Sequence, residues 1–199
     1  NHNGTPVLPP DINSSRAEFT PVAEGIRFGL VGVRGVGKNV ADAIIEEREE
    51  NGPFSSLHDF VNRVDAKAYN RKTLEALVKG GAFDSTGYTR KQMMHFIEET
   101  PMLEGAAKRQ KDRDRGQVSM FDLFADDADS GFQEDVPEPD GVEWDKRTKL
   151  AYEKEIMGIY VSEHPLAPYE GALSRMTKFS LGDLAERTAE IRNAIFVGM

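Results

Sequence analysis

The stretch Leu30-Val31-Gly32-Val33-Arg34-Gly35-Val36-Gly37-Lys38 carries the strongest structural signal in this chain of 199 residues. Gly35 and Gly37 flank a single apolar residue, Val36, and an apolar helical pattern follows at once. Glycines allow a tight turn and let the backbone approach a phosphate without a Cβ atom in the way. The free N–H groups of the next helix then point at the anion. The pattern predicts a helix-hairpin-helix that binds nucleic-acid backbone without reading bases, with Val36 as apolar anchor and Lys38 as a further phosphate contact.

Two other interpretations of this stretch stay open. Gly32 to Lys38 also fits the phosphate-loop spacing G-x-x-x-x-G-K, but the next residue is Asn39 where that loop needs Ser or Thr to bind Mg²⁺. The chain also lacks an apolar strand ending in aspartate, which would hold the metal from the other side. The simplest alternative is a helix cap that binds no ligand.

Four short helices are predicted between residues 26 and 100, because apolar residues recur there at helical spacing. The four apolar faces are Val40, Ala41, Ile44 and Ile45; Leu57, Phe60, Val61 and Val64; Leu74, Leu77 and Val78; and Met93, Phe96 and Ile97. Ser55 or Ser56 is expected to cap the second helix and Asn70 the third. Thr89, with Gln92 three residues later, is typical of a capping box before the fourth.

A second glycine turn, Gly80-Gly81, follows the third predicted helix. It is either a second, degenerate DNA-binding hairpin or only the C-terminal cap of that helix. If both hairpins exist, we expect them to pack as a pseudo-twofold pair that contacts neighbouring phosphates.

The flanking regions differ in composition. Residues 1–25 are rich in Pro, Asn, Ser and Gly, which predicts an extended connector. Lys108 to Arg115 is expected to extend a helix that has no core face. Residues 117–145 hold ten acidic residues and no basic ones, which exceeds the net charge of −9 of the whole chain. Most of the stretch 117–142 is expected to be disordered. Order should return near Trp144, in a helix that ends at Gly158.

One apolar cluster interrupts the acidic tract. Gln117-Val118-Ser119-Met120-Phe121 is followed by Asp122-Leu123-Phe124, so that five large apolar residues fall within seven positions. The cluster is either a partner-binding segment or a small patch that folds back onto the helices.

In linear order the chain resembles a C-terminal part of the catalytic alpha subunit of bacterial DNA polymerase III. The resemblance lies in Leu8-Pro9-Pro10-Asp11-Ile12-Asn13, Gly35-Val36-Gly37, Gly52-Pro53-Phe54, Asn70-Arg71-Lys72, Gly81-Ala82-Phe83-Asp84, Glu153-Lys154-Glu155 with Met157-Gly158, and Ser162 with His164-Pro165-Leu166. It implies a mainly α fold: a connector from the fingers region (1–25), a tandem helix-hairpin-helix domain (26–100), a charged linker (101–145), a helix-loop segment (146–193) and the start of a truncated OB domain (194–199).

The resemblance also implies partners. Gly35, Val36, Gly37 and Lys38, with Gly80 and Gly81, would contact double-stranded DNA. Gln117, Val118, Ser119, Met120 and Phe121 are similar to the pentapeptide that docks on the beta sliding clamp, with Gln117 at the pocket rim and Met120 and Phe121 inside. Other replisome subunits would bind through the parent protein. A cytoplasmic location is expected, with no membrane partner.

The family's chemistry is expected elsewhere. Its DNA polymerase active site is a set of palm carboxylates that binds Mg²⁺, and nothing here matches it, so this chain should be a non-catalytic fragment without a cofactor. Its ordered acids are expected on solvated helix faces. The absence of cysteine excludes disulfides, thiolate metal sites and a cysteine nucleophile. A helix-hairpin-helix repair or recombination protein, or a pure interaction scaffold, remains as an alternative.

Overall fold

The computed structural model of the chain describes residues 5–99, 102–114, 138–163, 165–169 and 171. This part is mainly α, as predicted. Its helices are α1 (Lys38–Asn51), α2 (Leu57–Arg63), α3 (Arg71–Lys79), α4 (Arg90–Glu99), α5 (Met102–Asp114) and α6 (Lys146–Met157), with 3-10 turns at Leu30–Gly32, Asp84–Thr86 and Ala167–Tyr169. The strands are β1 (Val7–Leu8), β2 (Thr20–Val22) and β3 (Gly25–Arg27). The predicted partner-binding segment, 117–121, and the predicted OB strand, 194–199, lie outside the described residues.

Helices α1 to α4 are the four predicted helices, and their apolar faces build the core. Every apolar residue assigned to those faces is buried except Ile45, which is partly buried. The caps also follow the prediction, because the side chain of Ser56 accepts a hydrogen bond from the N–H of Asp59 and that of Asn70 accepts one from Thr73, both at 3.0 Å. Local periodicity and cap chemistry are sufficient to define these four elements.

Residues 5–25, the described part of the predicted connector, are not simply extended. The three strands form a sheet of order β1-β3-β2, in which β1 is parallel and β2 antiparallel to β3. Ile12 is fully buried, and its N–H donates to the carbonyl of Ala82 at 2.9 Å. Arg48 of α1 donates to the carbonyls of Ile12 and Ser15, both at 2.5 Å. The segment is therefore part of the helical domain, held by contacts to residues far along the chain.

Helix α5 continues the helical domain beyond residue 100, and its described residues contact the domain. Ala106 is fully buried. The Gln110 side chain accepts from the N–H of Ala66 and donates to the carbonyl of Val64, both at 2.7 Å, beside the end of α2. Helix α5 thus contacts the domain through the buried Ala106 and through the two hydrogen bonds of the Gln110 side chain.

The expectation that ordered acids lie on solvated helix faces is wrong for Glu153 of α6, which is fully buried. Arg90, 1% exposed, donates to Glu153 at 3.1 Å and to Asp84 at 2.7 Å. The N–H groups of Val161 and Ser162 each donate to the other Glu153 oxygen at 3.1 Å. The Ser162 hydroxyl donates to the same Glu153 oxygen as Arg90. This buried network joins α4, α6 and the loop that follows α6.

Candidate nucleic-acid interface

The first glycine turn is anchored from below by apolar side chains. The 3-10 turn at Leu30–Gly32 is followed by Val33 and Val36, which are 1% and 4% exposed. Between them Gly35 has a φ of +87°, a backbone conformation that residues other than glycine rarely adopt. The chain therefore reverses direction sharply at the surface and enters α1 at Lys38.

The outer side of this turn is open. A Cβ atom added at Gly35 or at Gly37 would meet nothing within 4 Å. Gly37 is the N-cap of α1 and makes no side-chain cap, and the first turn of α1 contains no acidic residue. Lys38 is exposed and pairs with Asp42 at 3.3 Å. The helix N-terminus thus presents uncapped N–H groups on an open surface, which suits an anion.

The same geometry disfavours the phosphate-loop interpretation. The residues before the loop form a 3-10 turn rather than a strand. A Cβ atom at Gly32 would lie 2.6 Å from the ring of Phe28, so this glycine serves close packing inside the domain.

The second glycine turn is filled by protein. Gly81 has φ +82°, and a Cβ atom there would lie 2.3 Å from Nη2 of Arg90. A Cβ atom at Gly80 would lie 3.1 Å from the carbonyl oxygen of Ala76 and 3.6 Å from Ile156 of α6. DNA binding by Gly80 and Gly81 stays a prediction, and the geometry favours Gly35 and Gly37 as the phosphate contacts.

A carboxylate of the chain itself occupies the N-terminus of α4, next to the second turn. Glu143 accepts from the N–H groups of Arg90 and Lys91, both at 3.1 Å, and from that of Trp144 at 2.8 Å. Lys149 pairs with it at 3.3 Å. Burial raises the pKa of Glu143, but these three N–H groups and the charge of Lys149 lower it by more. The position where an anion would bind α4 is therefore already filled.

The predicted capping box at α4 is only half formed. The Thr89 hydroxyl accepts from the N–H of Gln92 at 3.2 Å. The Gln92 side chain instead donates to the carbonyl of Glu138 at 2.8 Å and accepts from the N–H of Asp140 at 3.1 Å. Glu143 replaces it at the helix terminus. Sequence reasoning missed this because Glu143 lies more than 50 residues from the start of α4 and is one of ten acids in its tract.

We expect Glu143→Ala to lower the free energy of unfolding by about 1–2 kcal/mol, since two N–H groups of α4 lose their acceptor. Urea denaturation would measure this. Glu138→Ala is the matched control: it removes the same charge from the same segment, but only its main-chain carbonyl contacts α4. Equal effects of the two substitutions would contradict the assigned cap.

Two further properties concern only the described part of the chain. No group of three or more His, Cys, Asp or Glu side chains there could hold a metal ion. None of its helices has both the length and the apolar character needed to cross a membrane.

The chain is similar to known proteins over most of its length. Residues 4–93 match a family described as a helix-hairpin-helix motif. The DNA polymerase III subunit alpha of Thermus aquaticus is 42% identical over 191 residues, covering 94% of this chain and 14% of that protein. The same subunit is 37% identical over 205 residues in Saccharopolyspora erythraea (98% of this chain, 17% of that protein) and 38% identical over 189 residues in Borreliella burgdorferi (94% and 16%). The chain thus spans less than a fifth of the length of these relatives. It belongs to the DNA polymerase III alpha-subunit family and carries a helix-hairpin-helix motif.

Proposed function

We propose that this chain is the duplex-DNA-binding part of a DNA-directed DNA polymerase, and that it performs no nucleotidyl transfer itself. The observation that carries the proposal is the open, uncapped turn at Gly35–Gly37 in front of α1. The relatives support it, because they are named as polymerase subunits and match nearly all of the chain. In the whole protein, Mg²⁺ and the catalytic carboxylates would belong to a palm domain.

The proposed contact does not depend on base sequence. Main-chain N–H groups at a helix N-terminus bind phosphate oxygens, which are the same at every nucleotide. A polymerase that moves along its template needs such a contact, because a base-specific one would stop it at preferred sites. The turn is anchored to the core, since Val33 and Val36 are buried beneath it.

A titration with two duplexes of unrelated sequence, at two salt concentrations, tests this proposal. We expect equal affinities for both duplexes at each salt concentration. The interaction-scaffold alternative predicts no salt-dependent DNA affinity, and a base-specific protein would separate the duplexes. The repair or recombination alternative is not favoured, because the polymerase relatives match the chain well beyond the helix-hairpin-helix residues.

We further propose that Gln117, Val118, Ser119, Met120 and Phe121 dock on a beta sliding clamp and so support processive synthesis. Support comes from the sequence pattern and from its place between two anchored elements, α5 and the segment that begins at Glu138. Burial of Met120 and Phe121 in an apolar pocket would contribute roughly 3–6 kcal/mol. The conformational entropy that the bound segment loses would offset part of this. Isolated binding should therefore be weak, around micromolar. On DNA, tethering raises the effective concentration.

We expect the triple substitution of Gln117, Met120 and Phe121 by alanine to weaken clamp binding at least tenfold, as measured by titrating the chain with a purified beta clamp. A matched control replaces Asp126, Asp127 and Asp129 by alanine, which changes the neighbouring tract but leaves the motif intact. Unchanged clamp affinity in the triple variant would leave the segment as only a hydrophobic patch.

A further inference from the structure

The N-terminus of α3 lies directly beside the first glycine turn. The Thr73 hydroxyl donates to the carbonyl of Gly35 at 3.3 Å, and Thr73 is 3% exposed. On the other side of the turn, the N–H of Arg34 donates to the carbonyl of Ile156 at 3.0 Å. The Thr73 contact places the start of α3 next to the start of α1, so one surface contains both, while the Ile156 contact holds the turn against α6.

Four exposed cations surround this contact: Arg34, Lys38, Arg71 and Lys72. Arg34 directly precedes Gly35, and Lys72 directly precedes Thr73. The Cα atoms of Arg34 and Lys72 therefore lie about 3.8 Å from those of Gly35 and Thr73, the two residues that the hydrogen bond joins. Lys38 and Arg71 form pairs with acids one turn further along their own helices. In the part of the chain that the structure describes, Arg34 and Lys72 form no ion pair.

The placement of these cations is unfavourable for the protein alone. The N-terminus of a helix carries partial positive charge, which favours acids and disfavours Lys and Arg in the first turn. Helix α3 nevertheless begins with Arg71 and Lys72, α1 begins with Lys38, and neither first turn contains an acidic residue. A polyanion on this surface would remove the repulsion.

The charge reverses towards the other end of α1, where Glu46, Glu47, Glu49 and Glu50 fall within five residues. A phosphate backbone that ran along α1 would meet these acids. A backbone that crosses from the first turn to the start of α3 meets only the cationic end of each helix.

We infer that the DNA-binding surface continues from the first turn onto the N-terminus of α3, and that Arg34 and Lys72 bind duplex phosphates on either side of the one held by the turn. The inference rests on the proposed function and adds to it the path of the duplex and two phosphate-binding residues. It also changes the expected salt dependence. A turn of main-chain N–H groups with Lys38 alone would release few counterions, whereas two more cations release more.

The test is the salt dependence of duplex binding by the 199-residue chain and by Arg34→Ala/Lys72→Ala. Each lost phosphate contact should reduce the slope of log affinity against log salt by about 0.9, so the double variant should lose about 1.8. Its affinity defect should then shrink about 12-fold between 50 and 200 mM salt. Lys108→Ala/Lys111→Ala, with the same change in charge on the exposed side of α5, should keep the wild-type slope. Arg34→Lys/Lys72→Arg should keep it too.

The outcomes separate the inference from the proposed function. Wild-type binding with an unchanged slope in Arg34→Ala/Lys72→Ala overturns the inference and leaves the proposed function standing. An equal loss of slope in the α5 control also overturns it, because net charge alone would then explain the effect. No duplex binding by the wild-type chain at low salt overturns the proposed function itself.

Discussion

Glu153→Ala should lower the free energy of unfolding by about 3–5 kcal/mol, because removing one member of a buried ion pair leaves the other charge without compensation. Arg90 would keep Asp84 as its only carboxylate partner. The N–H groups of Val161 and Ser162 would lose the acceptor that holds the loop after α6. Substitution of a solvated glutamate rarely costs more than about 0.5 kcal/mol.

The same network makes stability depend on pH. Burial raises the pKa of Glu153, but the hydroxyl and N–H of Ser162, the N–H of Val161 and the charge of Arg90 lower it by more, so that it lies below the ordinary value of 4.5. A carboxyl whose pKa is lower in the folded state stabilises the fold above the unfolded pKa. This contribution is fully present above about pH 4.5 and is lost as the pH falls through the folded value. Glu153→Gln cannot titrate and should lack this part of the acid sensitivity.

Urea denaturation at neutral pH and near pH 4 would measure both effects. Glu155→Ala is the matched control for Glu153→Ala, since Glu155 is exposed two residues away on the same helix. A difference of less than 1 kcal/mol between the two alanine variants would contradict the structural role of the buried pair.

Gly37→Asp should weaken duplex binding by at least about 100-fold without loss of stability. Aspartate is a favoured N-cap, and its carboxylate would accept from the free N–H groups of α1. A Cβ atom at Gly37 meets nothing within 4 Å, and φ there is −82°, so the backbone accommodates a side chain. The phosphate would lose about two charge-assisted contacts of roughly 1.5–3 kcal/mol each and would meet a like charge. Gly35 is a less suitable site, because a side chain at its φ of +87° would strain the turn that presents the N–H groups.

Gly87→Asp is the matched control for this change. Gly87 also has open space at its Cβ position, and it follows the 3-10 turn at Asp84–Thr86. Its φ of +83° is left-handed, a conformation that aspartate adopts more readily than most residues other than glycine. The Gly87→Asp variant should bind duplex DNA with nearly wild-type affinity. An equal loss of affinity in both variants would mean that added negative charge alone accounts for the effect.

The parts of the fold that sequence reasoning predicted correctly are those with local causes. The apolar face of α2 and its Ser56 cap depend on residues within one or two turns of each other. The same holds for α3 with its Asn70 cap. It also holds for α6, which ends at Gly158 as predicted, and Gly158 has a left-handed conformation. Helical periodicity and cap chemistry are visible in such short windows.

The parts that it missed have distant causes. Arg48 holds the carbonyls of Ile12 and Ser15 across more than 30 residues, which turns a predicted connector into part of the domain. Arg90 and Glu153 are 63 residues apart, and the local sequence around each predicts only a charged side chain on the solvent-exposed face of a helix. The candidate site shows both cases: the first turn follows from its glycine spacing, whereas Arg90 fills the second only because the fold brings it to Gly81.

The most direct test of the central claim, that the first turn binds duplex phosphate, is to follow the backbone N–H resonances of the chain by NMR during a duplex titration. We predict that the largest shifts fall at Val36, Gly37, Lys38 and Asn39, while Gly80, Gly81 and Arg90 change little. Shifts centred on Gly80 to Arg90, with the N–H groups at the start of α1 unchanged, would contradict it.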